Sequence, residues 1–255
     1  MAIQQMMLGS GGAASSVITS NLVLHLDAGN SSSYSGSGTT WSDLTSGNHD
    51  ATLIHSPTFN SSSGGGSFTF DGTNDYATIP DATDFIFGTG DFTEEVWFKR
   101  TSTTGEEIAI ERGDSSSWQG TKTWSAYDPV VLAANPTHYT ESTGSLDIDN
   151  QNLASALTIT NDWFHYVLTR TGSTSNVTRR FHRNGVASLQ SISYLSNWQP
   201  KGTSVSSDYN LHIAGADSSK RFTGEIAIIR VYNTGLSDSQ ITQHYNAEKA
   251  RFGHS

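Results

Sequence analysis

From Leu22 onward, apolar and polar residues alternate with a period of two, broken by clusters of Gly, Asn, Asp and Ser. Successive side chains of an extended chain point to opposite sides, so this pattern predicts half-buried strands joined by polar turns. Leu22, Leu24 and Leu26 share one face of the first strand. Further strands are predicted at 51–54, 67–70, 76–79, 92–99, 107–111, 122–127, 130–133, 163–169, 179–183, 186–190, 211–214 and 224–232. About a dozen short strands in one chain predict an all-β sandwich or barrel. Asn184-Gly185 sits between two of them and suits a type I′ turn, which needs positive φ at both central positions, so the flanking strands should pair. One helix is predicted: Ser237 with Gln240 three residues on forms a capping box, and Ile241, Tyr245 and Ala250 share a face up to Gly253.

Composition narrows the picture. The 255 residues include 38 Ser, 30 Thr and 24 Gly, which suits many turns and disfavours a helical fold, while 10% aromatic residues allow a packed core. With no Cys, disulfides, thiolate nucleophiles and Cys-ligated metals are excluded. No stretch reaches the roughly 18 apolar residues of a membrane helix, so no membrane insertion is expected. The net charge is -10, and all of it falls on residues 1–98, which hold ten acids and no Lys or Arg. Such acidity argues against nucleic acid, whose phosphates need clustered bases. Residues 1–20 show neither alternation nor a cap and are expected to form a flexible N-terminal arm ahead of a 21–255 domain. The apolar tip Ile3, Met6, Met7 and Leu8 followed by a Gly/Ser spacer suits either a frayed terminus or a peptide that orders on an assembly. The start has no positively charged region, so synthesis in, and release from, a host cytoplasm is expected.

Leu22-Val23-Leu24-His25-Leu26-Asp27-Ala28, Trp41-Ser42-Asp43-Leu44, Phe68-Thr69-Phe70-Asp71-Gly72-Thr73-Asn74-Asp75-Tyr76, Trp163-Phe164-His165-Tyr166-Val167, Asn184-Gly185 and the ending 222–232 come in an order that carries a resemblance. Together they resemble the laminin-G-like, concanavalin A-like lectin/glucanase superfamily over residues 22–252. The resemblance implies a jelly-roll sandwich of two antiparallel sheets, one concave, ahead of the short C-terminal helix that the capping box predicts. The start Met1-Ala2-Ile3-Gln4-Gln5-Met6-Met7-Leu8-Gly9 with its spacer is also similar to virion proteins of marine and cyanobacterial tailed phages.

In the segment 70–76, Asp and Gly supply a tight turn whose Asp side chain accepts backbone N–H groups. The alternative is that Asp71, Asn74 and Asp75 offer oxygen ligands to calcium. No other cofactor is expected. Glu94 shares a strand face with Phe92, Val96 and Phe98, and a buried carboxylate needs a partner, so pairing with an Arg is expected. Superfamily members that cleave glycans carry two Glu and an Asp alternating on a concave strand, with an acid and a nucleophile about 5–5.5 Å apart. Nothing matches here. Leu146-Asp147-Ile148-Asp149-Asn150 lacks the Glu pair, and the members of Glu94-Glu95 and of Glu106-Glu107 point to opposite faces of a strand. The nine His lack metal-ligand spacing, and His165 suits a packed strand position. The chain is therefore expected not to be an enzyme.

Two functions follow. One is a virion surface protein, a capsid decoration or tail-associated adhesin held to capsid or tail subunits through residues 1–20. A homo-oligomer is expected, joined at exposed sheet edges or by the acidic N-terminal half against Arg179, Arg180 and Arg183. The other is a lectin module for cell-surface glycans, with Trp118, Trp124, Tyr127, Tyr139 and Trp198 as stacking rings, or else as packing residues.

Overall fold

A computed structural model of the chain describes residues 16–85, 87, 90–101, 108–112, 124–127, 141–142, 145–146, 161–173, 176–187, 192–195, 210–215 and 221–255. In chain order the strands are β1 (Leu22–Asp27), β2 (Thr40–Trp41), β3 (Ala51–Ile54), β4 (Thr58–Asn60), β5 (Ser67–Asp71), β6 (Tyr76–Ile79), β7 (Phe92–Arg100), β8 (Ile108–Arg112) and β9 (Trp124–Tyr127). They continue with β10 (Glu141–Ser142), β11 (Ser145–Leu146), β12 (Phe164–Ser173), β13 (Asn176–Arg183), β14 (Val186–Ala187), β15 (Ile192–Leu195), β16 (Leu211–Ile213) and β17 (Thr223–Tyr232). One helix, α1 (Asp238–Glu248), follows the last strand. The strand expected at 130–133 lies outside the described residues.

The strands form two antiparallel sheets and a small β10-β11 hairpin. The larger sheet runs β14-β13-β12-β7-β17-β5-β4, with β1 also on β17 and β15 also on β13; the smaller runs β2-β3-β6-β16-β8-β9. The inward positions of both enter one apolar core. Leu24, Leu26, Phe68, Phe70, Val96, Phe98 and Leu168 come from the larger sheet, and Ala51, Leu53, Ala77, Ile79, Leu211 and Ile213 from the smaller. Burying each large side chain is worth about 1.5–3 kcal/mol, and Phe68 adds edge contacts to Tyr34 at 4.7 Å and Trp41 at 4.9 Å.

The larger sheet is covered on its outer face too. Residues 224–232 of β17 are all buried, which explains why the run from Ile226 to Ile229 reads as continuously apolar rather than alternating. The cover is α1. Ser237 caps it by accepting from the Gln240 amide while the Gln240 side chain returns to Ser237, as the capping box predicts. Ile241 then packs with Val167, Tyr232 and Leu236. The Asn184-Gly185 turn has φ of 51° and 75°, the type I′ pattern. Gly185 also lies under the helix, where an added Cβ would come 2.8 Å from the Cβ of Tyr245. Beyond α1, Arg251 makes a two-pronged bond to Asp27, 2.8 Å on each arm, tying the chain's end to its first strand.

The last residues of the expected arm meet the domain. Residues 16–18 lie on α1 and β17, where the Ile18 amide donates to His244 and the Ile18 carbonyl accepts from the Tyr232 hydroxyl. Glu94, expected to pair with an Arg, is 2% exposed, opposite Leu168 and Val231, and its carboxyl oxygens have no hydrogen-bond partner among the described residues. Burial pushes this carboxyl well above its ordinary range, so it is held as the neutral acid. An Arg does pair with a glutamate at this point of β7, but it is Arg230 with Glu95, on the opposite face.

Candidate functional site

The smaller sheet has no helix on its outer face among the described residues. Strand alternation sends Ala51, Leu53, Ala77, Ile79, Leu211 and Ile213 inward, so Thr52, Tyr76, Thr78 and His212 take the outward positions. Register aligns several of them into a row. Thr40 is opposite Thr52, Thr52 opposite Thr78, and Thr78 opposite His212. The backbone pairing then carries the row on to Glu111 in β8 and Ser125 in β9. Thr52 is exposed; Tyr76, Thr78 and His212 are half-buried.

Beside this polar row stands Tyr76, two residues before Thr78. Its ring meets His212 edge-on at 5.9 Å and His55 at 6.3 Å. The Arg221 guanidinium lies 4.7 Å over the same ring, oriented by its 2.9 Å bond to the Gly215 carbonyl. Burial, then Arg221, lowers the pKa of His212, keeping the imidazole neutral and able both to donate and to accept. His212 Nδ1 and Thr78 Oγ1 are enclosed and have no hydrogen-bond partner among the described residues. Two neighbouring unsatisfied groups are costly, about 1–3 kcal/mol each, and such groups in a folded protein call for a ligand or water.

At the end of the row near Tyr76 lies the turn read from sequence. Asp71 Oδ1 accepts from the amides of Thr73, Asn74 and Asp75 at 2.8, 3.2 and 3.4 Å. The Thr73 bond foremost lowers the pKa of Asp71, whereas burial and then the charge of Asp71 raise that of Asp75. Asp71 thus fills the turn-forming role. Among the described residues, no group of three or more His, Asp or Glu is placed to hold a metal ion.

A second polar cluster lies on the back of the larger sheet, beneath α1. Glu95 Oε1 bonds His165 Nε2 at 2.8 Å and Arg230 Nη1 at 2.9 Å, and Glu95 Oε2 bonds His244 Nδ1 at 2.9 Å. Arg230 also bonds Glu248, and Trp97 Nε1 reaches Glu248 at 2.8 Å. Burial alone would raise the Glu95 carboxyl, but Arg230 and the two histidines hold it well below the usual carboxylate range. This enclosed cluster fastens the helix to the sheet. His165, fully buried, takes the packed strand position expected of it.

The expected stacking residues divide. Trp124 and Tyr127 stand in β9, the edge strand of the smaller sheet, paired with Arg112 and Ile108 of β8. Trp118, Tyr139 and Trp198 lie outside the described residues, as do Ile3, Met6, Met7 and Leu8. Of the basic trio, Arg180 is paired with Asp238 at 2.6 Å, and the Arg183 guanidinium lies 4.5 Å over Phe164. Sequence reasoning passed over Thr52, Tyr76, Thr78, His212 and Arg221. The alternation in Tyr76-Ala77-Thr78-Ile79 and Leu211-His212-Ile213 marks outward positions, but only pairing across 134 residues brings Thr78 to His212.

Comparison with known proteins follows the same fold. Residues 70–242 match a family model described as the concanavalin A-like lectin/glucanases superfamily. No curated protein matches the chain. Among solved structures, the binding domain of Paraclostridial Mosquitocidal Protein 1 is similar with a TM-score of 0.61 and 15% identity, covering 92% of this chain and 55% of that one. Trypanosoma rangeli sialidase, solved with 2,3-difluorosialic acid as a covalent intermediate, gives 0.57 and 16%, covering 95% and 35%. Domain 4 of AbnA, a GH43 extracellular arabinanase from Geobacillus stearothermophilus in complex with arabinotriose, gives 0.53 and 16%, covering 87% and 97%. The chain thus spans about half the length of the first of these and a third of the second. At such identities the likeness is one of fold.

Proposed function

The chain belongs to the concanavalin A-like lectin/glucanases superfamily, and from that premise we propose that it is a non-enzymatic carbohydrate-binding domain using the outer face of its smaller sheet. The observation that carries this reading is the polar row aligned by register, exposed Thr52 with half-buried Thr78 and His212, beside the Tyr76 ring. Hydroxyl and imidazole groups match the donors and acceptors of sugar hydroxyls, and an aromatic ring offers its face to the apolar side of a pyranose. Trp124 and Tyr127 stand on the edge strand of the same sheet. Binding rather than cleavage is supported by the acids of β7: Glu94 and Glu95 lie on opposite faces, each enclosed, and cannot flank one glycosidic bond.

The test is affinity electrophoresis and calorimetry of the full chain against neutral polysaccharides, arabinan oligosaccharides and sialylated glycans. Each is run with and without calcium, to probe Asp71, Asn74 and Asp75. Tyr76→Ala and His212→Ala should each weaken binding by about three- to tenfold, the size of a lost contact of 0.5–1.5 kcal/mol. Binding unchanged by both substitutions removes the site. Sugar turnover removes the non-enzymatic reading.

We propose display on a virion as the setting. Residues 16–18 dock on the helix side of the larger sheet, so an anchor through the preceding arm would leave the smaller sheet's outer face pointing away from the particle. Removing residues 1–15 should leave a folded domain that no longer joins phage particles; full incorporation of the truncated chain contradicts the anchor.

A further inference from the structure

We infer that docking of residues 16–18 onto α1 is proton-linked: the segment is held only while His244 is neutral, and a second proton on that imidazole releases it. His244 is fully enclosed. Its Nδ1 lies 2.9 Å from Glu95 Oε2, and its Nε2 lies 3.0 Å from the Ile18 amide nitrogen. A carboxylate only accepts and a backbone N–H only donates, so the partners fix the ring as the Nδ1–H tautomer with a lone pair on Nε2. An imidazolium carries N–H on both nitrogens and would set one of them against the Ile18 N–H. The protonated ring and the docked segment exclude each other.

The surroundings direct an added proton to this ring. Facing it are Glu95 from β7, Arg230 and Tyr232 from β17, His165 from β12 through the shared Glu95, and Glu248 from its own helix through Arg230. His25 of β1 is paired in register with Arg230, and residues 16–20 bring no charge. Two carboxylates against one guanidinium leave the cluster one negative charge in excess, which favours one further cation. His25 takes it poorly, because burial and then Arg230 hold its pKa down to about 4. On His165 a new proton would sit on Nδ1, enclosed and without a partner among the described residues, and would cost an unpaired donor. On His244 it costs only a peripheral segment. The other hydrogen bonds to residues 16–18 among the described residues are to the Ile18 carbonyl from Tyr232 at 3.0 Å and to the Ser16 carbonyl from Gln243 at 2.6 Å.

Docking requires the neutral ring, so the docked state binds one proton fewer than the released state and is lost as pH falls. The test follows Ile18 amide exchange in the full chain from pH 8 to 5, corrected for the intrinsic rate, together with the His244 ring resonances. Protection of Ile18 should fall about tenfold per pH unit below the His244 midpoint, while Ile229 in β17 stays protected. His244→Gln, which keeps a donor and an acceptor but does not titrate, should flatten the profile. Constant Ile18 protection while His244 becomes charged, or a ring still neutral at pH 5, overturns the inference. The native titration decides this even if the variant fails to fold.

Discussion

Glu94 and Glu95 are neighbours in sequence, equally buried, and opposite in state, because one finds partners and the other does not. Glu94 is held neutral in the inter-sheet core by burial. Glu95 is held ionised against burial by Arg230, His165 and His244. The signs of their linkage follow. Glu94 has its pKa raised on folding, so its contribution is intact below the unfolded value of about 4.5 and is lost as pH rises toward its folded pKa, at up to about 1.4 kcal/mol per unit. Glu95 has its pKa lowered, so its stabilisation is present above about 4.5 and is lost as pH falls. Glu94→Met should therefore stabilise the fold by about 1–3 kcal/mol at pH 7 by removing an unsatisfied buried group, and should flatten the rise in stability on lowering pH from 8 to 5. Urea denaturation across that range measures both effects; a destabilised variant would show that Glu94 has a partner after all.

At the scale of elements, the sequence is legible where the determinants are local. The Ser237–Gln240 box, the Asn184-Gly185 turn and the alternation of 51–54 and 76–79 each declare themselves within a few residues, and each element forms as expected. The short strands β2, β4, β10, β11 and β15 were not foreseen, having two to four residues and too little alternation to register. The sites were less legible still, since they depend on which strands become neighbours. Parity placed Glu94 correctly on the core face, yet the Arg expected there arrives from β17 on the other face, beside Glu95. The same pairing makes helix attachment depend on one guanidinium. Arg230→Met should cost about 3–5 kcal/mol, the usual penalty for stranding a buried charge. It should also alter the fluorescence of Trp97, whose indole N–H shares Glu248 with Arg230. Unchanged stability would mean that the two histidines alone satisfy Glu95.

Taken whole, the molecule presents two unlike surfaces. The larger sheet is closed over by α1, by the chain's end through Arg251 and Asp27, and by residues 16–18. Among the described residues, the smaller sheet carries hydroxyl, imidazole and ring groups in register on its outer face, with no helix over them. This second surface is the one proposed to bind carbohydrate. The most direct measurement is chemical-shift mapping of the full chain titrated with whichever glycan the binding screen selects. Perturbations confined to Thr52, Tyr76, Thr78, His212 and the β8–β9 edge are the result expected. Perturbations on α1 and the back of the larger sheet, with that row of residues silent, would contradict it.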